Sequence, residues 1–281
     1  MARLLARWTG SELHLVHVLA SPPVDAFHPE QKLSMEERMR DRARSYLERK
    51  AREDEEKAPE VKVAVLGGSV ADAIQSYAGR VRAGWVVLTS HGSGGLTRFW
   101  TGSVADGLLR SLHVPLLVLR PWDHTGELAP GEAVLERILV PLDGSGTAEA
   151  ALPAAVTMAR TFEAGITLVT AVPALAGEGS DEVVVRPGNA AEEREEEALA
   201  YLESVADRLW ADGVKVDRVL ARNRTTSGAI LAAASLLASD LVVLATHGRG
   251  GLERVVVGSV GDEIMRESAL PVLLVPVPEG E

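Results

Sequence analysis

The stretch "ATHGRGGLERVVVGSV", Ala245 to Val260, has a near-copy upstream, where residues 89–104 read "TSHGSGGLTRFWTGSV". Extended at the same offset of 156, residues 85–119 against 241–275 give 16 identities in 35 positions without a gap. Composition alone would give about two or three. Solenoid repeats run about 20–50 residues, so a period this long marks a repeated domain. The chain reads as two copies of one unit.

The second copy is the fuller one. "RILVPLD" (137–143) is a short apolar strand, and "SGTAEAALPAAVTMARTFEA" is an Ala-rich helix with Ser145 or Thr147 as its N-cap. "ITLVTAV" (166–172) is a second buried strand, followed by a polar loop with Gly177, Gly179, Pro187 and Gly188. Next comes a charged helix whose run Glu192 to Glu197 suits a solvated first turn at the positive end of the helix dipole. "VKVDRVL", "SGAILAAASLLAS", "DLVVLAT", "GSVGDEIMRES" and "PVLLVPV" complete a β-α-β-α-β-α-β-α-β order. Apolar strands alternating with helices predict a parallel sheet covered on both faces. Ligands of such sheets bind beyond the carboxyl ends of the strands, where the strand order reverses. Both Gly-rich stretches begin at a strand's carboxyl end.

The first copy is shorter. Matching "LLARWTGSELHLVHV" to "MARTFEAGITLVTAV" at an offset of 153 sets residue 1 on residue 154, midway along the first helix. The first strand, its Asp-bearing loop and the start of that helix have no counterpart, unless translation begins upstream of Met1. We expect a shortened domain over 1–122, a Pro- and Gly-bearing linker over 123–134 and a complete domain over 135–281.

Composition narrows the function classes. The 281 residues are 46% hydrophobic, 25% charged and 4% aromatic, which describes a folded chain with an Ala, Val and Leu core. The absence of cysteine excludes disulfides and thiol chemistry and fits a reducing compartment, so we expect a cytoplasmic protein. The N-terminus has no uninterrupted apolar stretch of signal-peptide type. The longest apolar run, Ala229 to Ala245, contains Ser235, Ser239 and Asp240 and reads as a buried helix followed by a strand, so no membrane span is expected. A net charge of −11 argues against nucleic acid as a partner.

The Gly-rich stretch admits two readings. Gly258 and Ser259 open a helix nine residues after Gly248, and a helix start offers free N–H groups and a positive dipole end to an anion. Ser259 adds a hydroxyl and Arg249 a charge, so the loop could wrap a polyphosphate. Alternatively, Ser103…Asp106 and Ser259…Asp262 have spacing close to a capping box, and the serines only cap helices. No Gly-Lys-Ser/Thr follows, which excludes a P-loop. His91 and His247 occupy matching places, but neither has a nucleophile partner in sequence, and the other histidines lack metal-ligand spacing. No nucleophile elbow is present. No catalytic residue and no protein metal site are expected.

"ILVPLDGS", "LLASDLVVLATHGRGGLERVVVGSV" and "LPVLLVP" resemble the universal stress protein family, and the whole chain resembles a tandem member of it. That resemblance implies two flavodoxin-like α/β domains (adenine nucleotide alpha hydrolase-like), each built on a five-stranded parallel sheet, the first lacking its first strand. The nucleotide-binding branch carries G-x2-G-x9-G-(S/T). Its last three marks stand at Gly248, Gly258 and Ser259, and again at Gly92, Gly102 and Ser103; the first mark is Ala245 in one copy and the stiffer Thr89 in the other.

For the second copy the resemblance implies ATP, with Mg²⁺ carried on its phosphates. Pro141, Leu142 and Asp143 fall beside the adenine and ribose, and Ala171, or Val172 one position on, at the adenine edge. Leu244, Ala245, His247, Gly248 and Arg249 fall near the ribose and phosphates, and Gly258, Ser259, Val260 and Gly261 near the phosphates. In the first copy Gly92, Gly102, Ser103 and Val104 keep a phosphate half only. The expected role is a nucleotide-dependent regulator in stress response, at most a slow ATPase, acting through a protein partner that the residues do not identify. Pairing of "PLLVLRP" with "PVLLVPV" would make the chain an internal pseudo-dimer, able to form a homodimer as well. The rival readings are an interaction module whose Gly-rich loops are structural, and an enzyme of a related adenylate-forming group, for which no acceptor site is visible.

Overall fold

The computed structural model describes residues 1–19, 29–52, 60–89, 103–119, 135–173, 184–186, 193–246 and 259–277. The first copy supplies α1 (Ala2–Thr9), β1 (Leu13–Leu19), α2 (Pro29–Arg52), β2 (Val61–Gly67), α3 (Val70–Val81), β3 (Val86–Thr89), α4 (Ser103–Ser111) and β4 (Leu116–Leu119). The second supplies β5 (Arg137–Pro141), α5 (Gly146–Glu149), α6 (Leu152–Phe162), β6 (Gly165–Pro173), β7 (Val184–Arg186), α7 (Glu193–Ala211), β8 (Val216–Asn223), α8 (Thr226–Leu236), β9 (Leu241–Thr246), α9 (Ser259–Glu267) and β10 (Val272–Pro276). The linker expected over 123–134 lies outside the described residues.

The repeat extends to backbone detail. Helix α1 ends on Gly10 and α6 on Glu163, the position equivalent to it, and both are left-handed, with φ of 64° and 55°. Arg82 and Ala238, 156 residues apart, share the same left-handed conformation after α3 and α8. Different residue types at equivalent positions reach one turn geometry because the chain must reverse there into the next strand.

Strand pairing repeats as well. Val86↔Leu116 in β3–β4 matches Val242↔Val272 in β9–β10 at the offset of 156, and β1–β2 is a parallel pair as β6–β8 is. In the second copy the parallel strands lie in the order β10-β9-β5-β6-β8, so the first strand of the domain, β5, is the central one. Among the described residues of the first copy no strand corresponds to β5. The four strands of that copy keep their two pairings, and β1–β2 stands as a two-stranded sheet while β3–β4 joins the larger one.

The chain accordingly divides into two compact units that do not coincide with the repeats: residues 1–83 with 102–111, and residues 84–101 with 112–281. In the first unit Leu5, Ala6, Ala43, Leu47, Ala71 and Ala78 are buried against the β1–β2 pair and its helices. Gly107 of α4 meets α3 so closely that a β-carbon there would lie 2.7 Å from the Ala71 β-carbon, which only glycine avoids.

The second unit is an eight-stranded sheet in the order β3-β4-β10-β9-β5-β6-β8-β7. Its central strands are unbroken runs of Val, Leu, Ile and Ala because helices cover both faces; Ile138, Leu139, Leu168, Val242 and Leu273 are fully buried. Helix α6 begins with Pro153 in its first turn, where a missing N–H is harmless, and this separates it from the single turn α5. Strand β7, antiparallel on β8, falls within the segment read from sequence as a polar loop.

The outer edge of β10 is taken by β4. The two run antiparallel with Leu273↔Leu117 at the centre, flanked by Val272↔Val118 and Leu274↔Leu116. Leu117 and Leu273 are repeat equivalents, so each strand meets its own counterpart, the self-complementary pairing of a twofold interface. Here it occurs within one chain, on the edge that the resemblance indicated.

The charged run of α7 departs from its sequence reading. Glu195 is 3% exposed and ion-paired with Arg222 of β8, itself 5% exposed. Four residues along β8, Arg218 pairs with Glu203 at 2.8 Å. Two arginines about 13 Å apart on a strand thus match two glutamates about 12 Å apart on a helix, and α7 lies antiparallel along β8. No described helix is long and apolar enough to cross a membrane, and the apolar run 229–245 is α8 followed by β9.

Candidate functional site

The sheet opens at the carboxyl end of β5. Donors alternate between the two neighbours along a parallel strand, and Leu142 N–H bonds the Val169 carbonyl of β6 at 2.8 Å. Position 141 therefore faces β9, and proline there offers no N–H. The β5–β9 pairing consists of Ile138↔Leu241 and Leu139↔Val242, while β6 follows β5 to Pro141 and β10 follows β9 to Thr246. Chain connections depart in opposite directions from β5 and β9, which makes this the switch point of the sheet.

Asp143 stands where β5 leaves β9, with its residue exposed. Its Oδ1 accepts from Ser145 N at 2.9 Å and from Ser145 Oγ at 2.6 Å. Ser145 Oγ in turn accepts from Ala148 N at 3.1 Å, so Ser145, not Thr147, is the N-cap of α5. Between them Gly144 has φ of 84°, a conformation strained for any side chain although space surrounds it. The bend Asp143-Gly144-Ser145 holds its carboxylate in place through the backbone.

The other expected contacts arrange around this bend. Pro141 is half-buried and Leu142 buried. Ala171 lies half-buried on β6, paired with Ala221, and Val172 beside it is paired with Arg222. On β9 Leu244 is buried and Ala245 half-buried. Ser259 opens α9 exposed, with Val260 and Gly261 half-buried in its first turn. Asp262 reaches forward to Arg266 at 2.8 Å, a partner other than the helix start that a capping box would require. His247, Gly248, Arg249 and Gly258 lie outside the described residues, as do His91, Gly92 and Gly102 and the side chain of Ser103. Val104 is half-buried in the first turn of α4.

Sequence reasoning passed over Thr170. Its Oγ1 donates to the Leu142 carbonyl at 2.9 Å and ties the β5 exit to β6. The available signal was a hydroxyl set among apolar residues in "ITLVTAV".

A parallel sheet with a central first strand, helices on both faces and a polar bend at its switch point defines the doubly wound α/β class. More narrowly, the chain belongs to the universal stress protein family, whose model matches residues 1–120 and again 135–276. It is 29% identical over 171 residues to a universal stress protein of Methanocaldococcus jannaschii, covering 59% of this chain and 96% of that one. It is 32% identical over 194 residues to one of Mycobacterium bovis, covering 67% of this chain and 60% of that relative's length. In fold it is similar to the crystal structure of a universal stress protein from Archaeoglobus fulgidus, with a TM-score of 0.73 at 17% identity, covering 98% of this chain and 92% of that one.

Proposed function

We propose that the second copy, residues 135–281, binds ATP with Mg²⁺ carried on the phosphates, and that occupancy regulates a partner protein in stress response. The observation that carries this is the switch-point opening, where the β5–β9 pairing stops at Leu139 and the backbone-anchored Asp143 is presented at the exit. A carboxylate fixed in that place suits the ribose hydroxyls. The helix start at Ser259 suits a phosphate. Among the described residues of the first copy none stands where Asp143 does in the second, and we assign that copy no nucleotide. In this reading any hydrolysis is slow and incidental to regulation.

In this reading the β4–β10 pairing makes the chain its own pseudo-dimer, with the linker over 123–134 between the copies. Since β4 covers the edge of β10, a homodimer would use another surface.

Thermal unfolding with Mg-ATP tests the proposal. At a hundredfold excess over Kd the ligand adds about 2.7 kcal/mol, which raises Tm by about 5–10 °C. Asp143→Ala removes a hydrogen bond to a charged group and should weaken ATP by about ten- to a hundredfold. No shift in the wild type, with no adenine nucleotide released on denaturation, would favour the interaction-module reading instead.

A further inference from the structure

One polar cluster reaches the Asp143 bend from behind. Glu149 is the last residue of α5, the single turn capped by Ser145. Both of its carboxylate oxygens are held by α7: Tyr201 donates to Oε1 at 3.1 Å and Arg208 Nη2 to Oε2 at 2.7 Å. Tyr201 and Arg208 are seven residues apart, about two turns, and so share one face of the helix. Burial of the phenol, its hydrogen bond to Glu149 and the negative charges of Glu149 and Asp143 all hold its proton, against Arg208 alone. The phenol therefore stays a donor well beyond the usual tyrosine range, with burial the largest cause and the Asp143 charge a smaller one.

We propose that Tyr201 and Arg208 are positioning residues of the nucleotide site, gripping Glu149 so that α5 and the Asp143–Ser145 bend keep the shape that presents the Asp143 carboxylate. The claim rests on the nucleotide reading above, but the grip itself acts in the empty protein. The hydrogen bonds that Asp143 accepts from Ser145 and that Ser145 accepts from Ala148 act within the turn, and the α7 contact adds a long-range tie to a turn that also packs on β9. The folded state holds the Tyr201 proton more tightly than the unfolded chain does. Its stabilisation is complete below the ordinary tyrosine pKa of about 10 and is lost as pH rises beyond it.

Tyr201→Phe and Arg208→Ala separate these roles in the full chain. In the nucleotide-free protein either change should speed amide exchange at Ser145 and Ala148 by about three- to tenfold. Each should raise the Kd for ATP by a similar factor while leaving that for inorganic tripolyphosphate unchanged, because Asp143 serves the nucleoside part. A merely structural role would weaken both ligands together. Unchanged exchange at Ser145 and Ala148 would overturn the grip, and altered exchange with an unchanged ATP Kd would overturn the positioning role. A wild type that binds no ATP would remove the nucleotide reading, and with it the positioning role, while exchange still decides the grip.

Discussion

Replacing Glu195 by alanine is expected to destabilise the second compact unit by about 3–5 kcal/mol, the usual cost of breaking a buried ion pair from one side. Both residues of the pair are almost wholly inaccessible, so the change would remove a carboxylate from beside Arg222 in a place water hardly reaches. The cost is not the net worth of the pair, because burying two charges is itself expensive. Replacing both, as Glu195→Leu with Arg222→Met, should restore most of the loss. Urea unfolding of the three proteins checks this; a single variant within about 0.5 kcal/mol of wild type would mean that the pair is solvated in solution.

The second large effect concerns a residue of the first copy. Leu117→Ala should cost about 2–5 kcal/mol, the range for a leucine truncated in a close-packed core. Leu117 is 0% exposed and faces Leu273, also 0% exposed, across the β4–β10 pair. The loss should appear in the unfolding of the second unit, although residue 117 lies in the first repeat. If the repeats folded as independent sheets, Leu117→Ala would leave the second transition unmoved.

Much of this fold is legible along the chain. The apolar runs "ILV", "ITLVTAV" and "LVVLAT" between Ala-rich helices read as covered parallel strands, and the repeat offset foretells the register that β3–β4 shares with β9–β10. That Met1 aligns with Ala154 of the second copy is also readable. The place of β5 is not, because only the order β10-β9-β5-β6-β8 reveals that it is the central strand. Glu195 escapes notice for a related reason: within a run of glutamates, burial depends on which residue faces Arg222, a partner 27 positions on. Strand β7 is three residues long and hides in a Gly- and Pro-bearing segment.

The site divides in the same way. Asp143, Gly144 and Ser145 form a local motif whose turn chemistry follows from adjacent residue types. Thr170, Glu149, Tyr201 and Arg208 act across separations of 28 to 59 residues, and no local pattern marks them. The opening between β5 and β9 depends on a single proline whose meaning appears only once its neighbour is known.

Isothermal titration of the full chain with Mg-ATP tests the central claim most directly, because it counts sites as well as detecting them. One site per chain, weakened by Asp143→Ala, is the predicted result. Two equivalent sites would contradict the asymmetry between the copies, and no binding at millimolar nucleotide would contradict the nucleotide function itself.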